Sequence, residues 1–239
     1  MKILALESAT LAGGAALLDG DHLVGESTQS IALMHSERMM AVVDRLMTDC
    51  GWSPKELEGL AVSVGPGSFT GLRIGLSTIK GLAFATGKPA VGVPTLDALA
   101  SRLPYCAYPI CPILDARKNE VYTGLYRTLT GRLEILEAPR AMPPATLAEE
   151  LRDGPGGPVV LVGDAVGRFG RIFSEILGAR ACLAPPDLRL PSAVTVGEMA
   201  TEALGRGETG DPGNLVPLYV RPSEAELARE RRQGAGRPN

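Results

Sequence analysis

Runs of apolar residues separated by polar turns predict three antiparallel strands at the start of the chain. Residues 2–6 form the first run, residues 14–18 the second and residues 22–26 the third. The polar stretch 7–10 separates the first two runs, and Asp19-Gly20-Asp21 separates the second from the third. An Asp-Gly pair between two such runs is typical of a tight hairpin turn.

A helical spacing of apolar residues follows from Ser36 to Cys50. Ser36 is suited to cap the start of this helix, and Gly51 is suited to end it. The apolar face comprises Met39, Met40, Val43, Leu46, Met47 and Cys50. Methionine side chains adapt to different surfaces, so this face is suited to a protein partner. The alternative is that the stripe packs inside the protein, which is the commoner role of such residues.

A strand, a glycine-rich loop and a second helix occupy residues 60–85. Residues 60–64 are apolar and β-branched, as in a buried strand. Gly65-Pro66-Gly67 makes the turn, and Ser68 or Thr70 is suited to cap the helix. The helix has a stripe that comprises Leu72, Leu76, Ile79 and Ala83.

Two interpretations of the glycine-rich loop stay open. A strand–loop–helix unit directs backbone N–H groups toward one spot and suits an anion. However, the loop lacks the Gly-Lys-Ser/Thr ending of a P-loop and the G-x-G-x-x-G pattern of dinucleotide-binding proteins. The alternative is a sharp turn that packs the helix closely on the sheet. Gly71, Gly75, Gly81 and Ala85 permit such close approach, either within the chain or with a partner.

The order of elements repeats in the second half of the chain. Residues 110–114 predict a strand that ends at Asp115, as the first strand ends at Glu7. Strands at 121–126 and 132–136, a helix from 146, a strand at 159–162 and further helices follow. A tandem repeat of one unit indicates two similar lobes. We expect an N-terminal lobe over 1–100, a smaller C-terminal lobe over 101–222 and a flexible tail over 223–239.

Composition and charge limit the function classes. The chain has 239 residues, of which 45% are hydrophobic and 21% charged, as in an ordinary globular protein. The net charge is −3, whereas a protein that binds RNA tightly without help is usually basic. The four cysteines form no C-x-x-C pair, and no leader or membrane-spanning stretch is evident. These features favour a reduced, cytoplasmic protein.

Several motifs occur together in one order along the chain. The longest is Gly-Pro-Gly-Ser-Phe-Thr-Gly-Leu-Arg-Ile-Gly at residues 65–75. Ile-Leu-Ala-Leu-Glu-Ser precedes it at 3–8, and His-Ser-Glu lies at 35–37. Asp-Ala-Arg at 115–117, Glu-Val-Tyr at 120–122 and Val-Pro-Leu-Tyr-Val-Arg at 216–221 follow. This set resembles the TsaB (YeaZ-type) family, a bacterial subunit of the machinery that makes threonylcarbamoyladenosine in tRNA.

The resemblance implies a fold and a role. The fold is α/β, with two tandem lobes like those of actin, sugar kinases and Hsp70 (RNase H-like), the second lobe reduced. The role is that of a non-catalytic subunit that binds and activates a TsaD-type catalytic subunit, which modifies the adenosine next to the tRNA anticodon. A TsaE-type ATPase joins the complex, homodimers form without the partner, and tRNA contacts the chain only through the complex. No cofactor is implied for the chain alone, and ATP or ADP at the partner junction stays an open question.

By resemblance, two helices of the first lobe pair with two helices of the partner. The partner-contacting residues would then be Met39, Met40, Val43, Leu46, Met47, Gly71, Leu72, Gly75, Leu76 and Ile79. The alternative is that both stripes face the lobe's own sheet.

A rival interpretation is a stand-alone ATP-dependent kinase of small molecules. Kinases of this fold class place a carboxylate after the first strand, and Glu7 stands where the family usually has Asp. Asp115 holds the equivalent position in the second lobe. Together with the glycine-rich loop, the candidate contacts for an anion or nucleotide are Glu7, Gly65, Gly67, Ser68, Thr70 and Asp115. Only Gly163-Asp164 stands where such kinases carry a Gly-Gly pair, which weighs against a complete nucleotide site.

A metal site is not expected. By resemblance, the catalytic relative binds its metal through two histidines spaced four apart on a helix. Four residues after His35 stands Met39, and a thioether does not replace an imidazole in such a site. We therefore interpret His35 as a structural residue near the helix start.

Overall fold

The chain folds into two five-stranded sheets of the same topology. The structure is a computed structural model that describes residues 1–30, 36–154, 156–208 and 211–221. The first lobe comprises β1 (Lys2–Glu7), β2 (Ala12–Asp19), β3 (His22–Ser30), α1 (Ser36–Asp49), β4 (Gly59–Gly65), α2 (Phe69–Thr86), β5 (Ala90–Pro94) and α3 (Thr95–Ser101). The second part comprises β6 (Ile110–Asp115), β7 (Val121–Arg127), β8 (Glu134–Met142), α4 (Pro144–Asp153), β9 (Val159–Val162), α5 (Val166–Leu177), β10 (Ala181–Leu183) and α6 (Ala193–Gly205).

The strand orders confirm the predicted duplication. The first sheet has the order β3-β2-β1-β4-β5 and the second the order β10-β9-β6-β7-β8. In each, an antiparallel hairpin pair adjoins a parallel pair: β1 is antiparallel to β2 and parallel to β4, while β6 is antiparallel to β7 and parallel to β9. The second sheet is the smaller, since β9 has 4 residues and β10 has 3. The latter strand was missed by the sequence analysis because three residues carry no periodicity.

Two helices cover one face of the first sheet. Leu4 and Leu6 of β1 point to this face and pack in one cluster with Met39 of α1 and Ile79 of α2. The other face, with Ile3 and Ala5, packs against α6. The chain therefore returns to the first lobe near its end, so α6 adds to the core of the first lobe although it follows the second sheet.

The lobes also share a cluster around α3. Leu96 and Leu99 of α3 pack with Ile110 and Leu114 of β6 and with Tyr126 of β7. The predicted boundary near residue 100 lies beside this cluster. As a domain division it stays a prediction.

Helix α2 has defined ends that match its sequence. The Ser68 hydroxyl accepts a hydrogen bond from the Gly71 amide at 3.3 Å, which confirms Ser68 as the N-cap. At the other end Gly87 adopts φ 70°, a left-handed conformation that glycine tolerates, and its amide donates to the Ala83 carbonyl. No helix among the described residues is long and apolar enough to cross a membrane.

Candidate functional site

The glycines of the loop lie against the turn between β1 and β2. A β-carbon on Gly71 would collide with the carbonyl oxygen of Ser8, and one on Gly67 would collide with that of Ala9. A β-carbon on Gly75 would collide with the Ser8 hydroxyl. The glycines therefore let α2 rest directly on the backbone that follows β1, as the sharp-turn interpretation predicts.

Two backbone amides of the loop also donate hydrogen bonds to other parts of the chain. The Ser68 amide donates to the Ala9 carbonyl at 2.6 Å, and the Gly65 amide donates to the Thr95 hydroxyl at 3.1 Å. A β-carbon on Gly65 would lie 2.7 Å from the Leu218 carbonyl oxygen. A β-carbon at either Gly65 or Gly67 would thus meet protein backbone, and anion binding at these two positions stays a prediction. Anion binding through Ser68, Thr70 or Asp115 stays a prediction.

Glu7 is buried at the end of β1, with 2% of its surface exposed. Its Oε1 accepts a hydrogen bond from the Ala9 amide at 2.5 Å, while Oε2 has no hydrogen-bond partner among the described residues. Burial raises the pKa of Glu7 to about 7, against the smaller lowering effect of the hydrogen bond from the Ala9 amide. The carboxyl group therefore holds the local turn and does not line the cavity described next.

A cavity of about 600 Å³ separates the two lobes. Its walls comprise Ala9, Thr10, Leu11, Gly67, Ser68, Phe69 and Thr70 from the first lobe, Asp115, Ala116, Arg117, Lys118, Tyr122 and Asp164 from the second, and Tyr219 and Arg221 from the segment after α6. Four of the six predicted anion contacts, Gly67, Ser68, Thr70 and Asp115, thus meet at one cavity.

The carboxylates of the cavity are engaged by the second lobe. Asp115 accepts hydrogen bonds from Arg168 at 3.1 Å and from the Arg117 amide at 2.8 Å. Asp164 accepts from the Asp115 amide at 3.0 Å. Burial raises the pKa of Asp164, the nearby Asp115 charge adds to this rise, and hydrogen bonds from the amides of Asp115 and Ala165 oppose it. The pair therefore fixes the ends of β6 and β9 and the turn that follows.

The predicted partner surface needs a correction about which side chains are accessible. Within the chain's own core or close to it lie Met39, Val43, Leu46, Met47, Leu72, Gly75, Leu76 and Ile79. Met40 is 42% exposed, and Gly71 is half-buried against Ser8. The inward stripes arise because the sheet already offers each helix an apolar face to cover. Pairing of these helices with a partner stays a prediction.

The outward face of the same helices carries Phe84 and Ser77, which were not named from the sequence, beside Gly81 and Ala85, which were named as positions of close approach. Phe84 is 94% exposed. Ser77, Gly81 and Ala85 are exposed at four-residue spacing on α2, and a β-carbon on Gly81 would meet nothing within 4 Å. The signal that could have found this face is the position of Phe84 outside the Leu72–Ala83 stripe. A surface helix that is apolar on more than one side has a second face to cover.

His35 lies outside the described residues, as do the tail 223–239 and the capping side chain of Ser36. Among the residues that are described, no group of three or more His, Cys, Asp or Glu side chains could hold a metal ion.

The duplicated sheets, the cavity between them and the helix that returns to the first lobe define a two-lobed protein of the actin, sugar-kinase and Hsp70 class. The activator of 2-hydroxyisocaproyl-CoA dehydratase from Clostridium difficile shares this fold at TM-score 0.54 and 12% identity, over 87% of this chain and 97% of that one. A more similar structure is YeaZ from Pseudomonas aeruginosa, with TM-score 0.74 and 26% identity over 91% of this chain and 99% of that one.

Sequence comparison then gives the family. The tRNA threonylcarbamoyladenosine biosynthesis protein TsaB of Bacillus subtilis is 32% identical over 226 residues, which cover 95% of this chain and 96% of that protein. A family model described as TsaD, tRNA N6-adenosine threonylcarbamoyltransferase, matches residues 27–174. The chain belongs to the TsaB (YeaZ-type) family, which confirms the resemblance given by the motifs.

Proposed function

We propose that the chain is a non-catalytic subunit that binds and activates a TsaD-type catalytic subunit. That subunit would transfer a threonylcarbamoyl group to the adenosine next to the tRNA anticodon. The observation that carries the proposal is the outward face of α1 and α2, where Phe84 is 94% exposed. We call this face, formed by Met40, Ser77, Gly81, Phe84 and Ala85, the helix surface.

The composition of the helix surface supports docking of partner helices. Gly81 and its small neighbours let another helix backbone approach closely, and Phe84 offers an aromatic anchor next to them. Both helices cover the same face of the first sheet, so their outward sides belong to one surface. A symmetric pair of chains could use this surface too, which is the basis for the predicted homodimer.

The burial of Glu7 and the hydrogen bonds of Glu7 and Asp115 support an accessory role over the kinase alternative. Glu7 is buried and bonded to the Ala9 amide, while Asp115 is bonded to Arg168 and to the turn that follows β6. Neither group is then placed to bind a metal–phosphate without rearrangement. Calorimetry with ATP and Mg²⁺ discriminates between the two, because tight binding with phosphoryl turnover by the isolated chain would favour the kinase.

The remaining partners follow from the same proposal. The net charge of −3 supports contact with tRNA through the catalytic subunit and not through this chain alone. A TsaE-type ATPase would join the pair, and whether ATP or ADP binds at the junction is decided by calorimetry on the assembled complex.

The experiment compares Phe84→Ser with Leu129→Ser, which changes a 54% exposed apolar residue between β7 and β8. Binding to the TsaD-type subunit is measured by calorimetry and tRNA modification by a reconstituted transfer assay. If Phe84 is an anchor, its replacement should weaken binding by about thirty-fold, or about 2 kcal/mol, and reduce modification. The Leu129→Ser variant should bind as the unaltered chain does.

Equal binding by both variants would contradict the helix surface. Full modification in an assay that omits this chain altogether would contradict the proposed function itself.

A further inference from the structure

We propose that residues 211–221 act as a strap that holds the cavity between the lobes closed, with Arg221 as its latch. The strap follows α6, which packs on the first lobe, and its last described residue bonds to the second lobe. Tyr219 and Arg221 both line the cavity. The strap is therefore placed to control the separation of the two cavity walls.

The strap is fixed to the first lobe at two backbone positions. The Leu218 amide donates to the Val64 carbonyl at 2.7 Å, at the end of β4. Further back, the Lys80 ammonium group of α2 donates to the Gly213 carbonyl at 3.0 Å. Because these contacts involve main-chain atoms of the strap, its path over the first lobe does not depend on the strap's own side chains.

An aromatic stack fixes the strap at the cavity. The Tyr219 ring stacks on the Phe69 ring with centroids 5.7 Å apart and an angle of 23° between the planes. The guanidinium group of Arg73 lies 3.8 Å from the Phe69 centroid and donates from Nε to the Tyr219 hydroxyl at 3.4 Å. Phe69 and Arg73 belong to the first two turns of α2, so the strap and the start of this helix form one unit.

Arg221 then crosses to the second lobe. Its guanidinium group bonds to the Glu120 carboxylate and donates to the Ala116 carbonyl at 3.4 Å. Both acceptors belong to the turn between β6 and β7. The side chains of Arg221 and Glu120 are 25% and 31% exposed, so the pair is partly shielded from solvent.

The turn that Arg221 holds is strained. Arg117, Lys118 and Asn119 adopt backbone φ angles of 63°, 50° and 59°, which residues other than glycine rarely adopt. Such a conformation persists only when its surroundings fix it. Arg168 holds the turn from within the second lobe through Asn119 at 2.8 Å, and Arg221 holds it from the strap. Loss of Arg221 should therefore loosen the turn and the cavity wall that it forms.

Another connection between the lobes lies away from the cavity. Leu96 and Leu99 of α3 pack between the sheets, and neither residue lines the cavity. A fixed cluster at one place and a polar latch at another give a cleft that can open at the latch while the α3 cluster stays packed.

Hydrogen exchange measured by mass spectrometry on the full chain tests the proposal. We expect Arg221→Ala to raise the exchange rates of amides in residues 116–122 and 66–72 about ten-fold, with the α3 cluster unchanged. Glu120→Gln should raise the same rates by the same amount or less, and the double variant should add nothing to Arg221→Ala, because loss of Arg221 already removes the Glu120 contact together with the Ala116 contact. In the unaltered chain, 1 M NaCl should raise the same rates, since salt screens a partly exposed ion pair.

Arg171→Ala is the matched control. It removes an exposed ion pair with Glu175 on α5 that does not bridge the lobes, and it should leave both peptides unchanged. The proposal is overturned if Arg221→Ala leaves both peptides at the original rates, or if Glu120→Gln and Arg221→Ala act additively. Should Arg221→Ala fail to fold, Glu120→Gln and the salt series decide the question alone.

Discussion

The hydroxyl of Tyr126 donates a hydrogen bond of 3.0 Å to Oδ1 of Asp97 and thereby joins β7 of the second lobe to α3 of the first. Tyr126 is fully buried, and burial raises the pKa of both the phenol and the carboxyl group. The hydrogen bond from Tyr126 partly offsets this rise at Asp97. A polar pair thus lies within an apolar contact between the lobes and fixes how they are oriented.

Removal of the Tyr126 hydroxyl should leave Asp97 half-buried without its donor. We expect Tyr126→Phe to lower the free energy of unfolding by about 1–3 kcal/mol, the usual effect of removing one partner of a buried hydrogen bond. Urea unfolding followed by circular dichroism measures the change. Tyr108→Phe, at a 45% exposed residue, is the control and should have little effect. Equal stability of the two variants would mean that the hydrogen bond does not stabilise the lobe contact.

The sequence predicted those features of the fold that depend on local pattern. Eight of the strands, the Ser68 cap and the duplicated order follow from periodicity and turn residues, and the structure confirms them. Patterns of one chain segment do not reveal which other segment covers a given face. For this reason the return of α6 to the first sheet was not predicted.

In the candidate sites, too, the local pattern was predicted from the sequence, while contacts with distant segments were not. The sequence identified the glycine-rich loop, but the role of Gly71 depends on the position of Ser8, which lies more than sixty residues earlier. Likewise, the apolar stripe through Met39 was clear from the sequence. Whether such a stripe faces the core or the solvent depends on where the sheet lies, which the sequence of the helix does not reveal. Phe84 was overlooked because it lies outside that kind of stripe.

Glu7 should make stability depend on pH. Its pKa rises from an ordinary value of 4.5 to about 7 in the folded chain, because burial disfavours the charge. Between these values the folded chain holds a proton that the unfolded chain releases, so the free energy of unfolding falls as pH rises from 4.5 to 7. The contribution of this one group to that fall is about 3 kcal/mol.

Urea unfolding at a series of pH values from 4.5 to 8 checks this dependence. Glu7→Gln has no proton to lose, so the part of the fall that Glu7 causes should disappear and the variant should be the more stable form at pH 8. Glu149→Gln, at an exposed carboxylate on α4, is the control and should keep the original pH profile. A Glu7→Gln profile that matches the unaltered chain would show that Glu7 is ionised in the fold throughout.

Two glycines of α2 should respond to alanine in opposite ways. At Gly81 the β-carbon meets open space, so Gly81→Ala should stabilise the protein by about 0.5–1 kcal/mol through the higher helix propensity of alanine. At Gly71 the β-carbon collides with the Ser8 carbonyl, and Gly71→Ala should destabilise it by about 2 kcal/mol. Thermal unfolding of both variants shows whether each substitution raises or lowers the stability of the protein. A stabilising effect at both positions would contradict the close contact between α2 and the β1–β2 turn.

The adjacent methionines of α1 distinguish core from surface on one helix. Met39 is fully buried and Met40 is 42% exposed. Met39→Ala should lower the free energy of unfolding by about 2–5 kcal/mol because it leaves a cavity under the helix. Met40→Ala should change it by less than about 0.5 kcal/mol, and Met40→Arg should leave the chain folded while it weakens binding of the TsaD-type subunit.

Unfolding curves and binding calorimetry on the same samples separate the two effects. Since a change at Met39 disturbs the fold, lost binding in that variant would not identify an interface. The informative variant is therefore Met40→Arg, in which folding is retained. Normal binding by a folded Met40→Arg chain would exclude this part of α1 from the partner contact and would leave Phe84 and its neighbours on α2 as the anchor.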